Sequence, residues 1–402
     1  MIMEKLKELF FYWSLALVFM TVPFPKDSLN SLSIIILTLA WLFYKPFSEK
    51  IKRLKKMALP FSILSSLFWL NLIGLFYTDD LFLGMGVVQK NLPFLILSIV
   101  IFSSDISKDS IKYLFKIFSI SVVAASLFAV SKALYFSIHN LGDFFYYAEF
   151  SKLLEIHTTY FALLLVLALV YFLFQMRIKN KSTFILYVTA SIFLLIMIYI
   201  VSSRISIIAL AVAFTVICLK EFKNNNKVIS ILVLMCGLLL TVAYLFSPNI
   251  QKRNTGNSDF GMATPNLSTR SLHWQGVINT ISSANPFLGL GTGATDESLY
   301  NEYKELGFKE GYRFKYNAHN QFLESALSFG LPGIITLITI LSFFIFISYK
   351  DNDLFYLTIA LVFITFMMTE SILERQKGIV VFALFFTSCL VLKISKKEEI
   401  SA

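Results

Sequence analysis

Long apolar runs separated by short polar gaps dominate this chain. Crossing the hydrocarbon core of a bilayer takes about 20 apolar residues, with a tolerated range of roughly 17 to 25. Twelve stretches meet or approach that length: 9–24, 29–44, 58–77, 86–103, 111–137, 157–176, 183–202, 205–220, 228–246, 328–348, 354–370 and 378–394. A backbone that spans lipid must satisfy its own hydrogen bonds, so each run predicts a helix. The first two runs are short, flank the Pro23–Pro25 corner, and read as tilted or partly re-entrant. One polar gap is much longer than the rest, from about Ser247 to Asn317. It divides the chain into an N-terminal bundle of about nine helices (1–246), a large loop containing short helices (247–318), and about three C-terminal helices with a tail (319–402).

Composition agrees with this pattern. Hydrophobic residues make up 57% of the 402 positions and charged residues only 15%, with a mean hydropathy of +0.72. Soluble domains carry nearer a quarter charged residues, so the expected class is an all-α polytopic membrane protein. The net charge of +10 is spread over short loops rather than gathered on one soluble face, which argues against a nucleic-acid partner. Its spread also orients the chain. Lys45–Lys56, Lys108–Lys112, Arg177–Lys181, Lys220–Lys227, Lys350 and the tail from Lys393 fall in alternate gaps, whereas the intervening gaps hold few cations. Basic residues stay on the cytoplasmic side, so both termini are expected inside and the large loop outside. Cys218, Cys236 and Cys389 all sit in apolar runs without metal-ligand spacing and read as small buried hydrophobes. The first apolar run lacks a clear small-residue cleavage site and leads into further spans, so no cleavable signal peptide is expected.

Candidate chemistry gathers on the outer side, where all four histidines (His139, His157, His273 and His319) fall on or near the boundary. Lys90 lies inside the fourth run, near its outer end, and Arg204 lies in the very short gap VSSRIS. An ionised side chain near hydrocarbon costs a few kcal/mol, so each reads as facing a polar cavity or binding an anion. The alternatives are escape to the head groups for Lys90 and a simple loop arginine for Arg204. The serines around Arg204 add hydroxyl donors that suit a phosphate as well as a turn. Arg270 opens an amphipathic stretch with Leu272, Val277 and Ile281 on one side, and a helix start bearing an arginine suits a phosphate. Pro286 ends that stretch, and Gly289, Gly291 and Gly293 predict a tight loop that exposes its backbone. No strand precedes this GxGxG run, which excludes a dinucleotide fingerprint.

His319 begins the amphipathic segment HNQFLESALSFG at the mouth of the tenth run. Imidazole titrates near pH 6.5 and can accept a proton from a sugar hydroxyl, or simply cap a helix at the interface. Glu324 reads either as its orienting partner or as an exposed helix glutamate. His157 opens the sixth run as HTTYFALLL, a position equally suited to a helix-start polar residue. Residues 370–377 (ESILERQK) read mostly as a solvated turn that can also line the same cavity.

Taken together, these features resemble the O-antigen ligase and polymerase superfamily of bacterial membrane glycosyltransferases. The resemblance rests on twelve spans, a long outer loop between spans nine and ten, and VSSRIS before span eight. It rests also on R-S-x-x-W with PFLGLGTG downstream, and on NAHNQFLESALSFGLPG, similar to the family's H-N-x-[FL] helix with a trailing G-x-x-G. The motif-level match spans mainly residues 200–335. The resemblance implies a GT-C-like enzyme with its active site on the periplasmic face of the inner membrane, working without metal or cofactor. The implied donor is an undecaprenyl-diphosphate-linked glycan, and the implied acceptor is lipid A–core or a lipid-linked glycan. Arg204 and Arg270 would bind the donor pyrophosphate, with Lys90 and His157 as looser matches to the same site, and His319 would activate the acceptor hydroxyl. O-antigen ligase is the favoured activity; a polymerase of the same superfamily and a protein O-oligosaccharyltransferase share the donor chemistry. A flippase or transporter fits the span count, but such proteins tend to show repeat symmetry and interrupted helices near the midplane.

Overall fold

A computed structural model describes residues 2–176, 181–223, 237 and 267–401. Among the described residues every regular element is helical. Helices α1 (Ile2–Thr21) and α2 (Asp27–Tyr44) form an antiparallel pair, so both early runs are continuous helices. The short α3 (Phe47–Lys56) meets α4 (Ala58–Gly74) at a 90° bend. Then come α5 (Leu81–Phe102), α6 (Lys108–Ile138), the short α7 (Tyr147–Lys152), α8 (Thr158–Gln175), α9 (Lys181–Val201) and α10 (Arg204–Lys223). After the large loop begins, α11 (Leu267–Ser283), α12 (Thr295–Glu305) and α13 (Lys309–Phe314) precede α14 (Gln321–Lys350), α15 (Leu354–Met367) and α16 (Gln376–Ser401). Eleven of the twelve predicted runs therefore coincide with helices, and the ninth, 228–246, lies outside the described residues except for position 237. By length and composition alone, six described helices can cross a membrane, or seven if α3 and α4 count as one bent span. The chain is a polytopic membrane protein.

The bundle is organised around α8. Its residues from Tyr160 to Phe172 are all buried, as expected for a helix apolar all round, which has no polar face to offer solvent. Helices α6, α9, α10 and α15 pack around it. The first half of α16 is buried in the same way, from Ile379 to Val391. Cys218 and Cys389 are buried within these helices, and Cys236 lies outside the described residues.

Polar contacts identify the two ends of the bundle. At one end Arg53 pairs with Asp105 at 2.8 Å and Lys45 approaches Glu8 at 3.6 Å. At the other end Lys377 reaches Asp27 at 3.3 Å and the Phe24 carbonyl at 2.8 Å, while Tyr160 donates to the Ser371 carbonyl at 2.9 Å. Among the described residues, the lysine-rich segment Lys45–Lys56 and the histidine-bearing segments thus occupy opposite ends, as alternating spans require.

Candidate active site

The loop helices α11 to α13 hold a small core of their own, centred on Val277, Leu299, Tyr303, Phe308, Ala318 and Leu327. Val277 is fully buried as its spacing predicts, whereas Trp274 and Ile278 are exposed. This cap is joined to the bundle by the segment 285–293, wedged between the α4–α5 turn and α14. Tyr77 donates to the Leu288 carbonyl at 2.9 Å, Thr78 to the Thr292 carbonyl at 2.7 Å, and Thr292 to the Asn71 carbonyl at 2.7 Å.

The other side of the wedge repairs a break in α14. Gly330 has φ 59° and ψ −143°, which interrupts the helical ladder, and Pro332 has no N–H to offer the carbonyl four residues back. Buried carbonyls left in this way need partners. The N–H groups of Leu290 and Gly291 supply them, donating to Leu327 at 3.0 Å and Ser328 at 2.9 Å, while Leu331 donates to the Pro286 carbonyl at 2.8 Å. From Gly289 to Thr292 the glycine run therefore does not expose its backbone: those N–H groups are consumed by protein carbonyls. Gly289, at φ +66°, also brings the wedge so close that an added Cβ would stand 2.5 Å from the backbone of Ser328.

Beyond that wedge, residues 317–324 are fastened to the link between α15 and α16. Asn320 caps α14, accepting from Phe322 at 2.9 Å and Leu323 at 3.1 Å, and its amide donates to the Met368 carbonyl at 3.1 Å. Gln321 accepts from the Leu373 N–H at 2.7 Å. Glu324 accepts from the Ala318 N–H at 2.9 Å and the Ser371 hydroxyl at 3.0 Å. At 3% exposure Glu324 is neither an exposed helix glutamate nor the partner of His319; it is a buried fastener. The link 370–377 is likewise no solvated turn, because Glu370, Ser371, Ile372, Leu373 and Lys377 are all buried.

His319 itself stands before the helix, in the left-handed region at φ 45°, with its N–H donated to Asn317 Oδ1 at 3.1 Å. That conformation is rare for a side chain of this size and is held by the fasteners on both flanks. Its Nδ1 lies 3.1 Å from Oε1 of Glu370, and the two side chains are 35% and 8% exposed. Burial pushes the Glu370 carboxyl up. The hydrogen bond and charge of His319, the charge of His157 and a hydrogen bond from Thr159 outweigh it, holding the carboxyl below its usual range. An ionised carboxylate only accepts, so Nδ1 carries the proton and Nε2 is left as a basic nitrogen. The ring is boxed edge-on by Tyr316, with centroids 5.5 Å apart, and by His273 at 5.2 Å. His273 in turn donates through Nε2 to the Asn317 carbonyl at 2.7 Å, bracing the turn that carries His319.

Other residues named from the sequence are distributed as follows. His157 immediately precedes α8, where it is exposed, close enough to Glu370, Arg375 and His319 for their charges to act on it. Lys90 donates to the Glu374 carbonyl at 3.2 Å, and Arg375 lies 5.8 Å from the Tyr160 ring. Lys90, His157 and His319 therefore converge on one link, 370–375. Arg204 is the first residue of α10, half-buried at the same end of the bundle. The serines beside it are less available than their hydroxyls suggest, since Ser202 and Ser206 donate to the carbonyls of Tyr199 and Ser203. Arg270 lies in the first turn of α11, and its side chain is outside the described residues. Glu370 and His273 were named in the sequence but given no individual role. The available signal for Glu370 was the pair of glutamates, Glu370 and Glu374, in the link before the last helix; nothing distinguished His273 among the four histidines.

Residues 189–338 match the family model described as O-antigen ligase. This match supports the O-antigen ligase and polymerase superfamily. No curated protein matches the chain. The O-antigen ligase match contains Arg204, Arg270 and His319 and stops short of Glu370, while Lys90 and His157 precede it. The geometry thus supplies the O-antigen ligase segment with a carboxylate from outside its own boundaries.

Proposed function

We propose that this protein is an O-antigen ligase, moving undecaprenyl-diphosphate-linked polysaccharide onto lipid A–core with inversion, at the periplasmic face of the bacterial inner membrane. The observation that carries the reading is the His319–Glu370 pair, set at the bundle end opposite the lysine-rich loops. In the proposed reaction the acceptor hydroxyl gives its proton to Nε2 of His319 as its oxygen bonds to the anomeric carbon. The bond from that carbon to the diphosphate oxygen breaks, and its electron pair leaves with the diphosphate. Glu370 keeps the imidazole in the Nδ1–H form and steadies the imidazolium that results, the part an aspartate plays in hydrolase triads.

Charge building on the departing diphosphate falls to Arg204 and Arg270, whose forked guanidinium groups match phosphate oxygens. Lys90 belongs to the same donor site: its contact with the Glu374 carbonyl uses one of three ammonium donors. His157, beside Glu370, completes that assignment. Neither a metal nor a cofactor takes part in this scheme, and the overall architecture is read as GT-C-like.

The test is deletion of the gene followed by electrophoresis of the lipopolysaccharide. Loss of every long chain, with polymer accumulating on undecaprenyl diphosphate, is the expected result. A single repeat unit left on the core would assign the protein to polymerisation instead, and an unchanged ladder would discard both.

A further inference from the structure

The lysine-rich end of the bundle carries a helix that the transfer reaction does not use. Helix α3 turns 90° from α4, so it runs across the end of the bundle rather than along it. At about 100° per residue, its ten positions divide into three sectors. Lys50 and Leu54 face the protein. Lys50 is 2% exposed, and its ammonium donates to the carbonyls of Trp41 at 2.5 Å and Leu42 at 3.1 Å. Those carbonyls belong to the last turn of α2, which has no helical donors for them. Arg53 adds its 2.8 Å pair with Asp105 from the α5–α6 connection. The helix is therefore pinned on one side, and its rotation is set.

That rotation leaves Phe47 and Ile51 outward, 55% and 50% exposed, beside Leu59 of α4 at 63%. Next around the helix come Lys52, Lys55 and Lys56, all exposed. Water would not favour the first sector, and hydrocarbon would not favour the second. An acyl layer edged by negative head groups favours both, because apolar burial and attraction to anionic lipid then act together. We infer that α3 is an in-plane helix that seats Phe47 and Ile51 among the acyl chains and binds anionic phospholipid head groups through Lys52, Lys55 and Lys56. This site is independent of the proposed transferase reading.

Two measurements on the full-length protein test it. In the first, protein purified in neutral detergent is equilibrated with equal amounts of phosphatidylglycerol and phosphatidylcholine, and the retained lipid is weighed by mass spectrometry. A surface lysine near an anionic leaflet is worth about fivefold in binding. The native protein should retain phosphatidylglycerol several-fold over phosphatidylcholine, and K52Q/K55Q/K56Q should bring the ratio close to one. K52R/K55R/K56R, which preserves charge, should keep the enrichment. No enrichment in the native protein, or the same enrichment in the glutamine variant, overturns the proposal. In the second, the three native cysteines are replaced by alanine and single cysteines are introduced by Ile51→Cys or Lys55→Cys. In phosphatidylglycerol vesicles a water-soluble maleimide should label the second at least tenfold faster than the first. Equal rates would put the apolar sector in water, or under a protein partner that covers both, and either result rejects the lipid assignment.

Discussion

Nδ1 of His319 meets Oε1 of Glu370 at 3.1 Å across 51 residues of sequence. This contact joins the end of the large loop to the link between α15 and α16, so the proposed base and its orienting carboxylate come from different parts of the chain. Neither element holds the pair alone. Asn320, Gln321 and Glu324 on one side bond to Met368, Leu373 and Ser371 on the other, fixing the two segments against each other in register.

The first prediction concerns that pair. His319→Ala should abolish polysaccharide transfer while leaving the protein inserted, since a positioned general base contributes about 10² to 10⁴ in rate. Glu370→Gln keeps the shape and removes the charge, so it should lower kcat by about ten- to a hundredfold with donor KM little changed. Rates measured with purified lipid-linked glycan decide it. Transfer by His319→Ala at the native rate would remove the base assignment, and a native kcat for Glu370→Gln would remove the orienting role.

Acid dependence follows from the same contact. The carboxyl of Glu370 is held below its ordinary value in the folded protein, so ionisation of this group stabilises the fold. That contribution is complete above the unfolded value of about 4.3 and disappears as pH falls through the lower folded value. Melting temperatures of native protein and Glu370→Gln in detergent should therefore differ most at neutral pH and converge on acidification below about pH 4.3. A difference that stays constant from pH 7 to pH 3 would contradict the linkage.

The sequence exposed most of the helices because each apolar run is its own signal, independent of what packs on it. Eleven runs coincide with helices for that reason, whereas the central place of α8 emerges only from the packing. His319 was legible as a polar residue where a span begins. Its partner was not, because ESILERQK is charged and short, and charge alone suggests solvent. Only the fold shows that Ser371 and Ile372 are fully buried there. The glycine run misled for a related reason. Glycine permits either an exposed anion-binding loop or a close backbone contact, and the broken ladder of α14 selects the second.

Close contact at that wedge makes a stability prediction. Gly289→Ala demands φ +66° from a residue with a side chain and places its Cβ 2.5 Å from backbone atoms of Ser328 and Phe329. Backbone cannot swing aside as a long side chain can. Strain and overpacking together should cost about 3 kcal/mol, read as a lower melting temperature of the purified protein. Gly307→Ala is the control, because φ +67° there is accompanied by open space; it should cost about 1 kcal/mol from strain alone. Equal losses for the two would mean that the wedge contact contributes nothing.

Chelation separates arginine-based from metal-based handling of the leaving diphosphate. In the proposed scheme the developing charge is met by guanidinium groups, so transfer should continue at its full rate in EDTA. Activity lost on chelation and restored by Mg²⁺ would show that a divalent ion stands where the arginines are assigned.

The arginines themselves give the last prediction. Removing one positive fork from a diphosphate site weakens both the bound donor and the charge that builds as it departs, so Arg204→Ala and Arg270→Ala should each raise donor KM and lower kcat. Lysine retains the charge but not the planar pair of donors, so Arg204→Lys should recover only part of the loss. Acceptor KM should stay near its native value in all three, which distinguishes a donor contact from general disruption. Steady-state kinetics with the donor and acceptor varied separately provides the reading. Native donor KM and kcat in Arg204→Ala would detach that residue from the diphosphate and leave Arg270, with Lys90 and His157 beside the 370–375 link, to carry the donor site.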